Sequence, residues 1–322
     1  MKKISFLCAL FCFAFLCSQA QQTAAKYIRE TNYLVYLPDG YTQDTTKRWP
    51  VMLFLHGSGE RGNDIEKVKA HGPPRLAAEG RKFPFIIISP QAEPGYGWVD
   101  DELYRLLQYA KRQYRVDPDR IYLTGLSMGG YGTWRLAMAH PEEFAAIIPI
   151  CGGGDSSNIW KLRHMPVWCF HGAKDNSVPL SASESMIKAL KRYNSGVKFT
   201  VYPETGHDSW VQAYQTDSLY QWLLAQKKFR HTPVQATATM LSSLAGKYSS
   251  GKVTLTIIAS NDTLYVKPPN EERTTLKYAG GNIFYWNENE PYDVEFVKDN
   301  KGVARYFVVR ANNSEIFNRV KE

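Results

Sequence analysis

The apolar positions of this chain follow two rhythms, separated by a polar stretch at residues 231–243. Before that stretch, apolar residues come in unbroken runs at 33–37, 51–55, 85–88, 121–123, 144–150 and 166–170, and a last strand is expected at 197–202. A run without alternation predicts a strand covered on both faces, as in a parallel sheet. Between the runs the spacing becomes helical. Leu103, Leu106, Leu107, Ala110 and Tyr114 mark an amphipathic helix over residues 101–115. Further helices are expected at 133–139, 181–193 and 210–224. Strands alternating with helices predict an α/β domain, a doubly wound and mostly parallel sheet, over residues 21–230.

The stretch 231–243 is rich in Thr, Ala, Ser and Gln and reads as a linker. After it the period drops to two: Val253, Leu255 and Ile257; Leu264 and Val266; Val294 and Phe296; Tyr306 and Val308. Turn signals at Ser260-Asn261-Asp262, Gly280-Gly281-Asn282 and Asp299-Asn300-Lys301-Gly302 separate these segments. Residues 244–322 are therefore expected to form a small antiparallel all-β barrel or sandwich.

Composition changes this picture at the two ends of the argument. Lys2 and Lys3, the apolar run 4–17 and the small residues Ser18 and Ala20 read as an export signal over residues 1–20, cleaved after Ala20. A secreted or periplasmic protein is expected, with no integral membrane segment in the mature chain. Three of the five cysteines lie in that segment, which leaves Cys151 and Cys169. Both sit in apolar runs and read as buried thiols, although one bridge between neighbouring strands stays open. The formal charge is +8, but the basic residues are scattered, so a nucleic-acid partner is not expected.

Candidate chemistry begins at Gly125-Leu126-Ser127-Met128-Gly129, a G-x-S-x-G between a strand and a helix. In that context the pattern is a nucleophile elbow, with glycines where a Cβ would collide and the serine hydroxyl pushed out above the sheet. The N–H of Met128 would face a developing oxyanion. The glycine-rich loop His56-Gly57-Ser58-Gly59 offers the N–H of Ser58 as a second donor, with His56 structural. A serine hydroxyl needs a base, and the base needs an orienting acid. Asp175 follows the run ending at Phe170, and His207 follows the run ending at Tyr202, so the order is Ser127, Asp175, His207. Asp155 is the competing acid, and His171 and His164 are less suitable bases. Trp98, Trp210 and Gln91 are expected near the substrate, whereas Trp134 is expected to be buried. No metal-ligand spacing is present, and no cofactor is expected.

The elbow, together with His171-Gly172-Ala173-Lys174-Asp175 and Gly206-His207-Asp208-Ser209-Trp210, resembles the α/β-hydrolase superfamily over about residues 30–228. Within it the chain is similar to the secreted carboxylesterases grouped with dienelactone hydrolases, phospholipase/carboxylesterases and feruloyl or acetyl-xylan esterases. The resemblance implies a nucleophile at Ser127, an acid at Asp175, a base at His207 and oxyanion donors at Met128 and Ser58. It implies small-molecule or oligosaccharide esters as substrates, feruloyl or acetyl esters of plant polysaccharide among them. The alternatives are a serine peptidase on the same fold and a non-catalytic carbohydrate- or surface-binding protein that uses residues 244–322. Oligomeric state is not readable.

Overall fold

A computed structural model describes residues 31–311 and 313–320. The expected export signal lies outside the described residues. Seven strands form the first sheet: β1 (Tyr33–Tyr36), β2 (Trp49–Leu55), β3 (Ile86–Pro90), β4 (Val116–Leu126), β5 (Ala146–Ile150), β6 (Trp168–Gly172) and β7 (Lys198–Tyr202). Their order is β1-β3-β2-β4-β5-β6-β7, with β1 antiparallel to β3 and the others parallel. The helices of this region are α1 (Gly72–Ala78), α2 (Asp100–Gln113), α3 (Met128–Ala139), α4 (Leu180–Leu190), α5 (Trp210–Gln215) and α6 (Asp217–Leu224).

The unbroken apolar runs have a simple physical cause: alternate residues feed two different cores. Val51, Leu53 and Leu55 of β2 pack with Leu103, Leu107, Trp134 and Leu190 of α2, α3 and α4. Met52 and Phe54 of the same strand pack with Ala213, Tyr214, Leu219 and Leu223 of α5 and α6. Both faces of the central strands β2, β3 and β5 are thus removed from water and carry no polar face, whereas the edge strands β1 and β7 stay partly exposed.

Several boundaries differ from expectation. β4 starts at Val116, well before its apolar run, and Pro118 is accommodated where the β2–β4 register shifts between Trp49 and Val51. The helix expected over 210–224 is two helices, because Thr216 is extended (φ −78°, ψ 114°) and starts α6 afresh. α1 escapes the periodicity because it opens on Gly72-Pro73-Pro74, residues tolerated in a first helical turn but poor as a helix signal.

The second region is a closed eight-stranded antiparallel barrel. Its strands are β8 (Gly246–Ser249), β9 (Thr254–Ser260), β10 (Thr263–Lys267), β11 (Thr274–Gly280), β12 (Ile283–Tyr285), β13 (Asp293–Lys298), β14 (Ala304–Arg310) and β15 (Ser314–Arg319). Ser260 pairs with Thr263 across Asn261 and Asp262, both with positive φ (49° and 57°). That is the two-residue hairpin turn whose twist matches its strands. On β14 the parity is opposite to expectation: Phe307 enters the core, not Tyr306 and Val308. The run Tyr306-Phe307-Val308-Val309 is apolar on both parities, so alternation alone cannot choose. The stretch read as a linker contains a helix, α7 (Ala238–Leu244). Thr237 caps it by accepting the N–H of Met240 (3.2 Å), and Leu241 and Leu244 pack into the barrel core.

The barrel is clasped to the sheet region by a buried charge cluster. The Arg163 guanidinium donates to Asp293 of β13 (2.9 and 2.8 Å) and to the carbonyl of Pro291. His164 Nε2 lies 3.2 Å from the same Asp293 oxygen. His231 stacks on Tyr285 (4.5 Å between centroids) and bonds the carbonyl of Tyr292 (3.1 Å). Cys151 and Cys169 are free, buried thiols. Among the described residues no helix is long and apolar enough to cross a membrane.

Candidate active site

The elbow is a tight strand-to-helix reversal. Ser127 sits between β4 and α3 at φ 52°, ψ −116°, a conformation that costs a non-glycine residue roughly 1–3 kcal/mol. The reversal requires close backbone approach. A Cβ on Gly129 would lie 2.0 Å from the carbonyl oxygen of Leu55, and one on Gly125 would lie 2.4 Å from that of Gly129. Met128 is the first residue of α3, so its N–H has no partner within the helix and points from the positive end of the helix dipole.

The other two loops are also locked by contact. A Cβ on Gly172 would lie 2.1 Å from the Gly206 carbonyl oxygen, so the loops after β6 and β7 touch backbone to backbone. The N–H of Lys174 donates to the Thr205 carbonyl (3.0 Å), which ties the two loops together. As a result His207 Nδ1 is 2.8 Å from Asp175 Oδ2, and His207 Nε2 is 2.9 Å from Ser127 Oγ. An ionised carboxylate only accepts, so Nδ1 carries the proton and Nε2 is free to receive one from the serine. The Asp175 side chain is fully buried. Burial opposes its charge, but hydrogen bonds from His207 and from the N–H groups of Val178 and Ser177 outweigh this and hold its carboxyl below the usual range.

Asp155 plays no part in this constellation. It is exposed and caps a short 3₁₀ segment, Ser156–Leu162, by accepting from the N–H and hydroxyl of Ser157. His171 does not reach Ser127. It is buried with Nε2 3.2 Å from Asp175 Oδ2, a contact that motif reading misses. His164 lies at the barrel clasp.

Around Ser127 the loop 57–64 is built as a fixed shelf. A Cβ on Gly57 would lie 3.7 Å from Ser127 Cβ, so the loop passes beside the serine, and the exposed Ser58 opens a 3₁₀ turn, Ser58–Glu60, whose last residue is buried. His56 is fully buried, donates Nδ1–H to the Gly57 carbonyl (2.5 Å) and accepts the N–H of Ala92 at Nε2 (3.0 Å). Burial pushes it down to about 4, so it stays neutral. Two side chains expected to touch substrate serve this shelf instead. Gln91 is buried and donates to the carbonyls of Glu60 (2.8 Å) and Asp64 (2.7 Å). Trp98 is buried against the His56 ring and Gly132, with its indole N–H on the His56 carbonyl (3.2 Å). Both follow strand or loop ends that fold inward, which loop position in the sequence does not reveal. Trp210 is also buried, at 9% exposure; its ring lies T-shaped against that of His207 (5.2 Å) and borders a small cavity of about 30 Å³ with His71, Arg75, Leu76 and Tyr214.

Among the described residues, two clusters bring three possible metal-ligand atoms within 4.8 Å of one another: Cys151, Asp175 and His207, and His164, His231 and Asp293. In the first, burial pushes the Cys151 thiol up to about 12, so it is protonated and a poor ligand. In the second, Asp293 is already held by Arg163 and faces Arg310 at 3.6 Å, charges that oppose a bound cation.

Comparison with known proteins fits this geometry. The chain is 24% identical over 161 residues to the bifunctional acetylxylan esterase/xylanase XynS20E of Neocallimastix patriciarum, covering 48% of this chain and 23% of that protein. It is 33% identical over 101 residues to a putative carboxymethylenebutenolidase of Escherichia coli K12, covering 28% of this chain and 37% of that one. The chain thus spans well under half the length of these curated relatives. A crystal structure of a thermostable esterase superposes with a TM-score of 0.53 at 31% identity, covering 61% of this chain and 59% of that one. The profile of the dienelactone hydrolase family matches residues 18–221, the elbow and both later loops included. The chain belongs to the dienelactone hydrolase family.

Proposed function

We propose that this protein is an exported serine carboxylesterase that works through an acyl-enzyme. The observation that carries the reading is the continuous path from Ser127 Oγ to His207 (2.9 Å) and from His207 to Asp175 (2.8 Å), with Ser127 held in a strained turn. Ser127 attacks the ester carbonyl while His207 Nε2 takes its proton. Asp175 keeps the imidazole in the required tautomer and stabilises the imidazolium. The N–H groups of Met128 and Ser58 stabilise the oxyanion. The protonated His207 then gives its proton to the leaving alcohol, and water, activated by the same imidazole, releases the acid. The step needs no cofactor.

The substrate class proposed is acetyl or feruloyl esters of plant polysaccharide. The similarity to the acetylxylan esterase/xylanase of Neocallimastix patriciarum supports acetylated xylan. The Trp210 ring, packed T-shaped beside that of His207 (5.2 Å), gives the proposed site an aromatic edge, which suits a ring-bearing group, a sugar or a phenolic acid. The charged-then-apolar pattern of residues 1–20 supports export. The test is a panel of nitrophenyl acetate, methyl ferulate, acetylated and feruloylated xylan fragments, and a peptide amide. Ester turnover that disappears in Ser127→Ala is the expected result. Hydrolysis of the amide alone would make the protein a peptidase, and no turnover of any ester would overturn the reading.

A further inference from the structure

The shelf loop beside Ser127 holds a carboxyl group that no hydrogen bond accounts for. Glu60 closes the turn Ser58–Glu60, and its side chain is nine-tenths buried. Its Oε2 is closed to solvent and has no hydrogen-bond partner among the described residues. That oxygen lies 3.2 Å, and Ser127 Cβ 3.7 Å, from the point where a Cβ on Gly57 would stand, so the carboxyl group and the nucleophile flank the same glycine. Two imidazoles approach the carboxyl group and neither bonds it. His56 Nδ1 is 3.9 Å from Oε2 and already gives its proton to the Gly57 carbonyl. His71 Nε2 is 3.8 Å from Oε1, beyond hydrogen-bond range. His71 is partly open, with its side chain 35% exposed. Its ring packs on that of Trp210 (5.4 Å), which packs on that of His207 (5.2 Å). Glu60 and His71 are therefore tied to both ends of the proton path, through Gly57 to Ser127 and through Trp210 to His207.

A buried polar atom without a partner needs an explanation, and a binding role is one. An imidazole N–H and a carboxylate oxygen 3.8 Å apart are too far to satisfy each other. A single hydroxyl can satisfy both, because it accepts from the one and donates to the other. A methylene in its place would leave both unanswered. We propose that Glu60 and His71 are specificity-determining residues that together hold one free hydroxyl of the substrate, close to the ester being cut. This deepens the function proposed above and rests on it. Position sets which hydroxyl is held. Beside Ser127 the pair reaches one on the carbon adjoining the ester oxygen, as in a partly acylated sugar, and not one at the far end of a phenolic acyl group. The favoured substrate class is a sugar or polyol ester whose neighbouring hydroxyl is unesterified. A polar pair that must otherwise stay unpaired rejects an analogue lacking the hydroxyl more strongly than an apolar pocket rejects one by size.

The experiment compares trans-2-hydroxycyclohexyl acetate with cyclohexyl acetate, two esters that differ by one neighbouring hydroxyl. kcat/KM is measured from acetate release for wild type, Glu60→Leu, Glu60→Gln and His71→Phe, and each ratio is divided by the ratio of the alkaline hydrolysis rates. Wild type should favour the hydroxy ester by at least about tenfold. Glu60→Leu and His71→Phe should bring the ratio close to one. Glu60→Gln, which keeps a carbonyl acceptor, should retain part of the preference. The readout is a ratio within each protein, so a general loss of activity or stability does not imitate it. A wild-type ratio near one, or an unchanged ratio in folded Glu60→Leu and His71→Phe, would overturn the proposal. The wild-type ratio decides even where a variant does not fold. Turnover of both esters without preference would leave the esterase reading standing and remove this one. Turnover of neither would remove the esterase reading. Binding of the two esters to Ser127→Ala, followed by NMR titration, would then decide: the hydroxy ester should bind several-fold tighter, and equal binding would refute the assignment.

Discussion

Asp175 and Asp293 are both buried carboxylates with two histidines nearby, and their surroundings send them in opposite directions. Asp293 receives Arg163 at 2.9 and 2.8 Å, His164 at 3.2 Å, and faces Arg310 at 3.6 Å. Burial opposes its charge, but the hydrogen bond from His164 and the Arg163 charge hold its carboxyl below the usual range. A guanidinium does not give up its proton, so this cluster has nothing to move; it is a clasp between barrel and sheet. Asp175 is held by the His207 imidazole and two backbone N–H groups, and that imidazole reaches a hydroxyl. The same residue types thus make a lock in one place and a proton path in the other. The deciding difference is arginine against serine.

Substitution separates the two carboxylates most clearly. Ser127→Ala, His207→Ala and Asp175→Asn should each lower kcat/KM on nitrophenyl acetate by at least about 10³-fold. Asp293→Asn should leave it within about threefold, because the clasp touches no reacting atom. A large loss in Asp293→Asn with small losses in the others would reverse the two assignments.

Stability should rank the sites the other way. Asp293→Asn strands Arg163, whose side chain is 7% exposed, and such a loss typically costs ~3–5 kcal/mol. Urea denaturation should therefore show Asp293→Asn as far less stable than Asp175→Asn. Equal stabilities would mean the clasp contributes little to holding the barrel.

The smallest effect expected is with pH. Burial pushes His231 down to about 4, and burial lowers His164 as well. The unfolded chain takes up a proton at His231 near pH 6.5, the folded one only near 4. Stability from this source is therefore full above about 6.5 and is lost as pH falls toward 4. Denaturation midpoints measured across that window should fall in wild type and fall less in His231→Phe. A flat wild-type profile would show that His231 is not a buried neutral group.

The three side chains at the heart of the site are legible in the sequence because each directly follows a buried strand, and parallel strands bring their carboxyl ends to one rim. Much of what surrounds them is not. Gln91 and Trp98 stand at strand and loop ends like the residues that line pockets, but their hydrogen bonds to Glu60, Asp64 and His56 turn them inward. α7 is hidden because only Leu241 and Leu244 of its turns are buried, which is too little for a visible helical period. The parity of β14 is hidden by four consecutive apolar residues. His171 is visible as a residue, yet its contact with Asp175 depends on how the turn after β6 folds back, which no local pattern reports.

An acyl-enzyme mechanism requires that Ser127 becomes acylated. Intact-protein and peptide mass spectrometry after rapid acid quench of a reaction with a slowly hydrolysed nitrophenyl ester tests it directly. One acyl group is expected, on the peptide containing Ser127, absent from Ser127→Ala and accumulating in proportion to the nitrophenol burst. Turnover with no adduct at Ser127, or an adduct on another residue that survives Ser127→Ala, would contradict it.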